Sequence, residues 1–256
     1  MPSISFSRAA IAFALLLLAG CSTSRTDPLE PYNRFMYSFN NKLDKVAVKP
    51  AAKVYKAVIP TPVRTGVGNF FSNLGDVVVT ANDLLQLNFV QAAQDTSRLI
   101  ANSTFGVLGI FDVASHWDLP KHAGDFGLTL GRWGVGPGPY LVLPFFGPSD
   151  FRDALGLYVD GAYLDPVWMD PNVPERNSAV VLRAVDARAR LLGVETLIEQ
   201  AAIDPYAYTR DAYLQRRKSL LPGGARELQK QEEEDDQEGE TPPSPGSHAA
   251  APGAAQ

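Results

Sequence analysis

The only cysteine of this chain, Cys21, closes the run Leu18-Ala19-Gly20-Cys21 behind a short cationic and apolar N-terminus. No other feature limits the fold as much. Arg8 supplies the positive end, Ala9 to Leu18 an apolar core too short to span a bilayer comfortably, and small residues precede the expected cut. This is the pattern of a lipobox, so residues 1–20 read as a lipoprotein signal peptide and the mature chain begins at an acylated Cys21. A plain secretory signal, or a buried N-terminal helix with a lone cysteine after Gly20, is the alternative. Several acyl chains on one residue anchor durably where one would be marginal, since each buried methylene contributes about 0.8 kcal/mol. With residues 21–26 as the only tether, the first folded element must sit close to a bilayer surface. Neither a disulfide nor a cysteine-metal centre is available to the body.

The formal charge of −5 is concentrated in one place, because residues 227–256 hold eight acids against the single Lys230. The remainder is close to neutral. Such a body has no basic stripe for nucleic acid, and its membrane affinity has to come from apolar surface and acyl chains. His116, His122 and His248 are too scattered to read as a metal cluster, so no cofactor beyond the lipid on Cys21 is expected. From Leu228 onward there are almost no large apolar residues, and an acidic run passes into Thr241-Pro242-Pro243-Ser244-Pro245-Gly246. Residues 222–256 are therefore expected to be a disordered, solvated tail, leaving residues 27–221 as the folded domain.

Between these limits the punctuation is helical. Asp27-Pro28-Leu29-Glu30, Thr61-Pro62 and Asp204-Pro205 each read as a cap followed by proline at the first helical position. Leu182, Val185, Ala189 and Leu192 form one stripe with Arg183, Asp186 and Arg190 opposite, which predicts an amphipathic helix over roughly Glu175 to Gln200. Two more helices are expected around Asp76 to Leu87 and Phe89 to Asn102, although Val77-Val78-Val79 alone would suit a strand. No apolar run after Cys21 is long enough to cross a bilayer. The expected class is all-α.

The stretch Gly124 to Asp153 differs from the rest. Gly127, Gly131, Gly134, Gly136, Gly138 and Gly147 alternate with Trp133, Tyr140, Phe145, Phe146 and Phe151, and four prolines break any continuous helix, which predicts a flexible aromatic hairpin or loop. Gly134-Val135-Gly136-Pro137-Gly138 lacks the ending of a phosphate loop, and its prolines remove donors a phosphate cradle needs. No Gly-x-Ser-x-Gly elbow occurs, and Asp112 near His116 reads as helix-turn proximity, so no enzyme activity is expected. Asn69, Asn73, Asn82, Asp83 and Asn102 place amides and a carboxylate inside apolar helical segments. Singly they suggest caps and helix-helix hydrogen bonds; together they would line a polar route through a body with a greasy outside.

The chain resembles the MlaA (VacJ) outer-membrane lipoproteins. The resemblance is carried by Asp27-Pro28-Leu29-Glu30 with Asn33-Arg34, Phe39-Asn40 and Leu43-Asp44, by Pro62-Val63-Arg64, by Asn69-Phe70-Phe71-Ser72-Asn73-Leu74 and by Asn82-Asp83-Leu84-Leu85-Gln86. Most specific is Asp125-Phe126-Gly127-Leu128-Thr129-Leu130-Gly131 through Trp133-Gly134-Val135-Gly136 to Gly138-Pro139-Tyr140, Leu143-Pro144 and Arg152-Asp153. Asp204-Pro205-Tyr206 and Arg210-Asp211-Ala212-Tyr213 complete a match from about Asp27 to Arg217. The resemblance implies a helical ring in the inner leaflet of the outer membrane, with a polar channel for mislocalised phospholipids. It also implies a trimeric porin and a periplasmic lipid carrier of the MlaC type as partners. Ser22 and Thr23, standing where an aspartate would hold such lipoproteins at the inner membrane, agree with an outer-membrane address.

On this footing Gly134, Gly136 and Gly138 are expected to hinge a gating hairpin, and Arg152 or Asp153 to contact the headgroup from the channel wall. A structural Arg152–Asp153 ion pair is the competing expectation. At the level of the whole protein, the competitors are a structural lipoprotein that scaffolds an envelope complex without moving lipid, and a lipid-cleaving enzyme.

Overall fold

The computed structural model describes residues 27–193 and 203–240, so the lipobox, Cys21 and the tether lie outside the described residues. In chain order come α1 (Glu30–Leu43), a π-helical turn (Asp44–Val48), α2 (Lys49–Val58), α3 (Thr61–Leu85), α4 (Phe89–Thr104), α5 (Val113–His116) and α6 (Phe126–Arg132). Strands β1 (Tyr140–Leu143) and β2 (Gly147–Asp150) follow, then α7 (Phe151–Tyr163), α8 (Val173–Leu191), α9 (Pro205–Ser219) and α10 (Gly224–Glu240). The fold is mainly helical. The strands form one antiparallel hairpin with Tyr140 opposite Asp150 and Leu143 opposite Gly147.

These elements close into a ring of neighbours. The π turn carries α1 into α2; α2 lies on α8, α8 on α3, α3 on α6, α6 on α7, α7 on both strands, and β1 returns to α1. Ion pairs fasten the circuit: Arg188 of α8 grips Asp44 with two bonds of 2.8 Å, and Tyr55 of α2 donates to Asp186 of α8 at 3.1 Å. Among the described residues no helix is long and apolar enough to cross a membrane.

Several local expectations are corrected. Asp204 does cap α9, its carboxylate accepting from the Tyr206 and Ala207 amides, and Asp112, Asp125 and Asp150 cap α5, α6 and α7 in the same way. Asp27 does not: α1 starts at Glu30, and the Asp27 carboxylate is buried against Asn33 and the Tyr206 hydroxyl. A buried charge with charge-assisted partners outweighs an exposed cap. Thr61 is the first residue of α3 rather than its cap, and its hydroxyl accepts from Arg64. The helix expected from Asp76 is the second half of a single helix starting at Thr61, in which Val77-Val78-Val79 stays helical. There Val79 is buried, and Gly124 passes so close that an added Cβ would lie 3.2 Å from it.

The amphipathic helix begins at Val173 and ends at Leu191, and residues 194–200 lie outside the described residues. Its faces are partly reversed from the usual arrangement: Asp186 is buried while Val181 and Leu182 are exposed, although Ala189 of the apolar stripe is buried and Arg190 is exposed. The expected disordered tail is helical over Gly224–Glu240, and residues 241–256 lie outside the described residues. Glu, Gln, Lys and Arg are good helix formers, and Lys218 at the basic end of α9 meets Gln231 at 3.2 Å and Glu227 at 3.4 Å. Low hydrophobicity excluded a core without excluding a solvated helix.

Candidate functional site

Burial is distributed inside out. Among the described residues the buried set holds more polar and charged side chains than apolar ones, including eight aspartates. Large apolar side chains crowd the outside, with Leu87 at 72%, Val90 at 74%, Phe105 at 67%, Phe111 at 62% and Phe145 at 71% exposure. In water such continuous apolar surface marks an interaction or membrane face. Most of the buried carboxylates have a cationic or hydrogen-bonding partner, as low-dielectric burial demands, with Asp83 the exception.

The polar seam is built largely on α3 and α4. Asn73 of α3 donates to the Ser103 hydroxyl at 2.9 Å, Asp76 pairs with Arg98 of α4 and with Lys121, and Asn102 ties Asp112 and the Ala114 amide at 3.1 and 2.9 Å. Asn82 turns the other way, donating to Asp160 of α7 at 3.0 Å while accepting from Thr129 of α6 at 2.7 Å. Asn69 donates to the Ile110 carbonyl at 3.1 Å. The amides singled out in the sequence thus act as inter-helix bonds. Burial raises the Asp160 carboxyl, against hydrogen bonds from the Phe126 amide and Asn82.

The hairpin is held from α1 by two amide side chains. Asn33 donates to the Tyr140 carbonyl at 3.0 Å and accepts from the Val142 amide at 2.8 Å, and one face further along Asn40 repeats the pattern with the Leu143 carbonyl at 2.9 Å and the Phe145 amide at 2.8 Å. Residues seven apart lie on one helix face, so α1 substitutes for a neighbouring strand on the free edge of β1. Asn40 reaches the turn itself, where Phe145 holds φ +69° and packs edge-on against Phe39 at 5.6 Å. Sequence reasoning quoted these asparagines without a role. Two amides at i, i+7 in an amphipathic helix were the available signal.

Arg152 and Asp153 follow the hairpin and form the ion pair that competed with a channel role. The Arg152 Nε donates to Asp153 at 3.0 Å, and Arg217 of α9 grips Asp125 through bonds of 2.6 and 2.9 Å while donating to Asp153 at 2.7 Å. Burial works to raise the Asp153 carboxyl; hydrogen bonds from Arg217 and Tyr213 outweigh it and hold it below the usual carboxylate range. Asp153 and Arg217 line a cavity of about 230 Å³ beneath the hairpin residues Leu143, Phe146 and Ser149, whereas Arg152 stands behind it.

The glycine loop is an exposed link from α6 to β1. Gly134 holds φ +90° and Gly138 φ +70°, where an L side chain is strained, and an added Cβ on Gly138 would lie 3.1 Å from Phe151. Gly136 has neither constraint, since nothing stands within 4 Å of its Cβ direction. Gly134→Ala and Gly138→Ala are therefore each expected to cost about 1 kcal/mol, with Gly136→Ala near neutral, in denaturant titrations of the detergent-solubilised protein. Equal costs at all three positions would show that the loop conformation is not what selects glycine.

A second, larger cavity of about 1490 Å³ lies between the start of α3, the turn before α5 and α8, walled by Val63, Val67, Phe70, Ile110, Phe111 and Leu182. Small-molecule sites usually measure roughly 300–1,000 Å³. An apolar cavity above that range has room for hydrocarbon chains.

The family model described as MlaA lipoprotein matches residues 25–220. The chain belongs to the MlaA lipoprotein family. Its relative in Escherichia coli (strain K12), the intermembrane phospholipid transport system lipoprotein MlaA, is 38% identical over 234 residues, covering 87% of this chain and 91% of the relative. The protein of the same name in Haemophilus influenzae is 35% identical over 212 residues, covering 78% and 84% respectively. A solved structure from work on the structural basis for maintenance of bacterial outer membrane lipid asymmetry superposes with a TM-score of 0.67 at 33% identity. That likeness covers 77% of this chain and 99% of the solved one. The region matched by the MlaA model takes in α1 to α9, with the reversed polarity and the asparagine-held hairpin, and leaves α10 outside.

Proposed function

We propose that this protein removes mislocalised phospholipid from the outer leaflet of the outer membrane and passes it to a periplasmic carrier, so maintaining the lipid asymmetry of that membrane. The observation that carries the reading is the reversed polarity: a greasy exterior suits a body seated in the inner leaflet and anchored through Cys21, and a polar interior can replace headgroup hydration. The names of the Escherichia and Haemophilus relatives support the same cargo. The partners in this reading are phospholipid, a trimeric porin and a carrier of the MlaC type. Transport is passive, and no covalent bond is made or broken in it.

Gly134 and Gly138, with Gly136 between them, let the hairpin swing; Asp153 faces the headgroup from the small cavity, and Arg152 fixes Asp153 from behind. The test is a deletion strain carrying either the natural chain or a Gly134→Val/Gly136→Val variant, assayed with a membrane-impermeant label for surface phospholipid. Excess label in the deletion, corrected by the natural chain and altered by the variant at equal protein level, is expected. Unchanged surface lipid on deletion would replace transport with the scaffold role, and lysophospholipid made by the purified protein would replace it with lipid cleavage.

A further inference from the structure

The link from α5 to α6, residues 117–125, runs as a strap across α3 and α4 and is clipped down by adjacent side chains. Lys121 pairs with Asp76 and donates to the Ser72 carbonyl at 3.2 Å, and the His122 Nδ1 meets both oxygens of Asp95 at 3.1 and 3.0 Å. Asp95 is fully buried on α4, and Asp83 of α3 is buried beside it, 1% exposed, with neither carboxylate oxygen meeting a donor. A hydrogen bond between the two carboxyls exists only if one of them carries a proton. Asp83 also lies in the last turn of α3, where the helix dipole disfavours a negative charge.

We propose that Asp83, Asp95 and His122 form a proton-operated latch, which tightens the strap on the α3–α4 pair while Asp83 carries a proton and loosens it when that proton leaves. The charge states give the reason. With Asp83 protonated, Asp83 donates to Asp95 while the His122 ring holds Asp95 from the strap. With that proton gone, two adjacent buried carboxylates repel each other, an arrangement low-dielectric surroundings penalise strongly. Other charges around the cluster are committed elsewhere or more distant: Asp76 to Lys121 and Arg98, Arg98 also to Asp112, and Asp125 to Arg217. His122, and to a smaller extent Arg132 at the end of α6, favour the ionised Asp83 and work against the rise.

Burial first, then the hydrogen bond and charge of Asp95, push the Asp83 carboxyl up to about 7. A carboxyl raised in the folded state binds its proton more tightly there than in the unfolded chain. The latch is therefore complete on the acid side and weakens as pH rises through about 7. The strap ends at Asp125, which caps α6 and pairs with Arg217, and α6 leads directly into the glycine loop and hairpin. The latch goes beyond the transport reading, and its test does not depend on lipid movement.

The test places a nitroxide on A123C, an exposed strap position, with Cys21→Ser so that the label sits on the sole thiol, in detergent micelles with and without chelator. The mobile fraction of the label is expected to grow about tenfold from one pH unit below to one above a midpoint near 7. In D83N the amide donates to Asp95 at every pH, so the strap stays immobile throughout. In H122Q the ring that clips Asp95 is gone, so the label is more mobile at every pH and the step near 7 is lost. A pH-independent spectrum of the natural cluster, the same transition surviving in D83N, or a transition abolished by chelator would each overturn the latch.

Discussion

Replacing Arg98 with methionine is expected to cost about 3–5 kcal/mol, the range seen when one partner of a buried ion pair is removed. Arg98 is 3% exposed in its side chain, and both terminal nitrogens of its guanidinium are bonded. Nη1 donates to the Leu119 carbonyl at 2.6 Å and to Ser115 at 3.2 Å, Nη2 donates to Asp112 at 3.0 Å, and Nε faces Asp76 at 3.6 Å. Methionine fills the stem volume and strands a carbonyl and a carboxylate, with Lys121 left to compensate Asp76 alone. Burial works to raise the Asp112 carboxyl, but hydrogen bonds from Ser115 and Asn102, with the charge of Arg98, hold it below its ordinary value. A depressed carboxyl contributes stability that is present at neutral pH and is lost as pH falls below the ordinary aspartate range. The penalty of Arg98→Met measured by denaturant titration should accordingly shrink in acid. In a double-mutant cycle with Asp112→Asn, the two changes should cost less together than their separate costs added, because each already breaks the same pair. Full additivity would mean that Arg98 acts through packing rather than through Asp112.

The same pair of helices shows why part of the fold was legible and part was not. Helix content could be read because proline and aspartate punctuation at Asp204-Pro205 acts locally, within one turn of chain. The faces could not, because amphipathicity locates a boundary between two media without saying which medium lies outside. In α8 the stripe Leu182 and Val185 was recognised, but only the partners of Asp186 and Arg188, more than a hundred residues away in the chain, turn these two charged side chains inward and leave Leu182 outside. The cap at Asp27 failed for a related reason: a carboxylate with a long-range hydroxyl partner, Tyr206, leaves the local role its neighbours suggest, whereas Thr61 is drawn into the first turn and bonded by Arg64. Of the latch residues only Asp83 carried a local signal, a carboxylate inside an apolar helical segment, while Asp95 and Arg98 carried none. The hairpin was legible from its glycines and aromatics, while what holds it was not.

That holding arrangement makes the second large effect a contrast between two asparagines. Asn33 is completely buried and serves the Asp27 carboxylate, the Tyr140 carbonyl and the Val142 amide at once. Asn33→Ala leaves the Tyr140 carbonyl and Val142 amide without that partner and takes one bond from Asp27, which keeps Tyr206, at about 1–3 kcal/mol for each buried group before relaxation, so a loss of about 3 kcal/mol in global stability is expected. Asn40 makes two equivalent bonds at the half-buried tip, where water can replace it, so Asn40→Ala should cost about 1 kcal/mol globally. Its effect is local instead. Phe145 sits at φ +69°, a conformation that a bulky residue keeps only while its surroundings impose it, and the Asn40 bonds to Leu143 and Phe145 are what impose it. Amide hydrogen exchange should therefore rise throughout the described fold in Asn33→Ala, and only over residues 143–147 in Asn40→Ala. If the hairpin gates lipid passage, Asn40→Ala at normal protein levels should alter surface phospholipid as the glycine-loop variant does, whereas Asn33→Ala should act through lost protein. Equal exchange profiles for the two variants would show that the hairpin is an integral part of the ring and not a separately movable element.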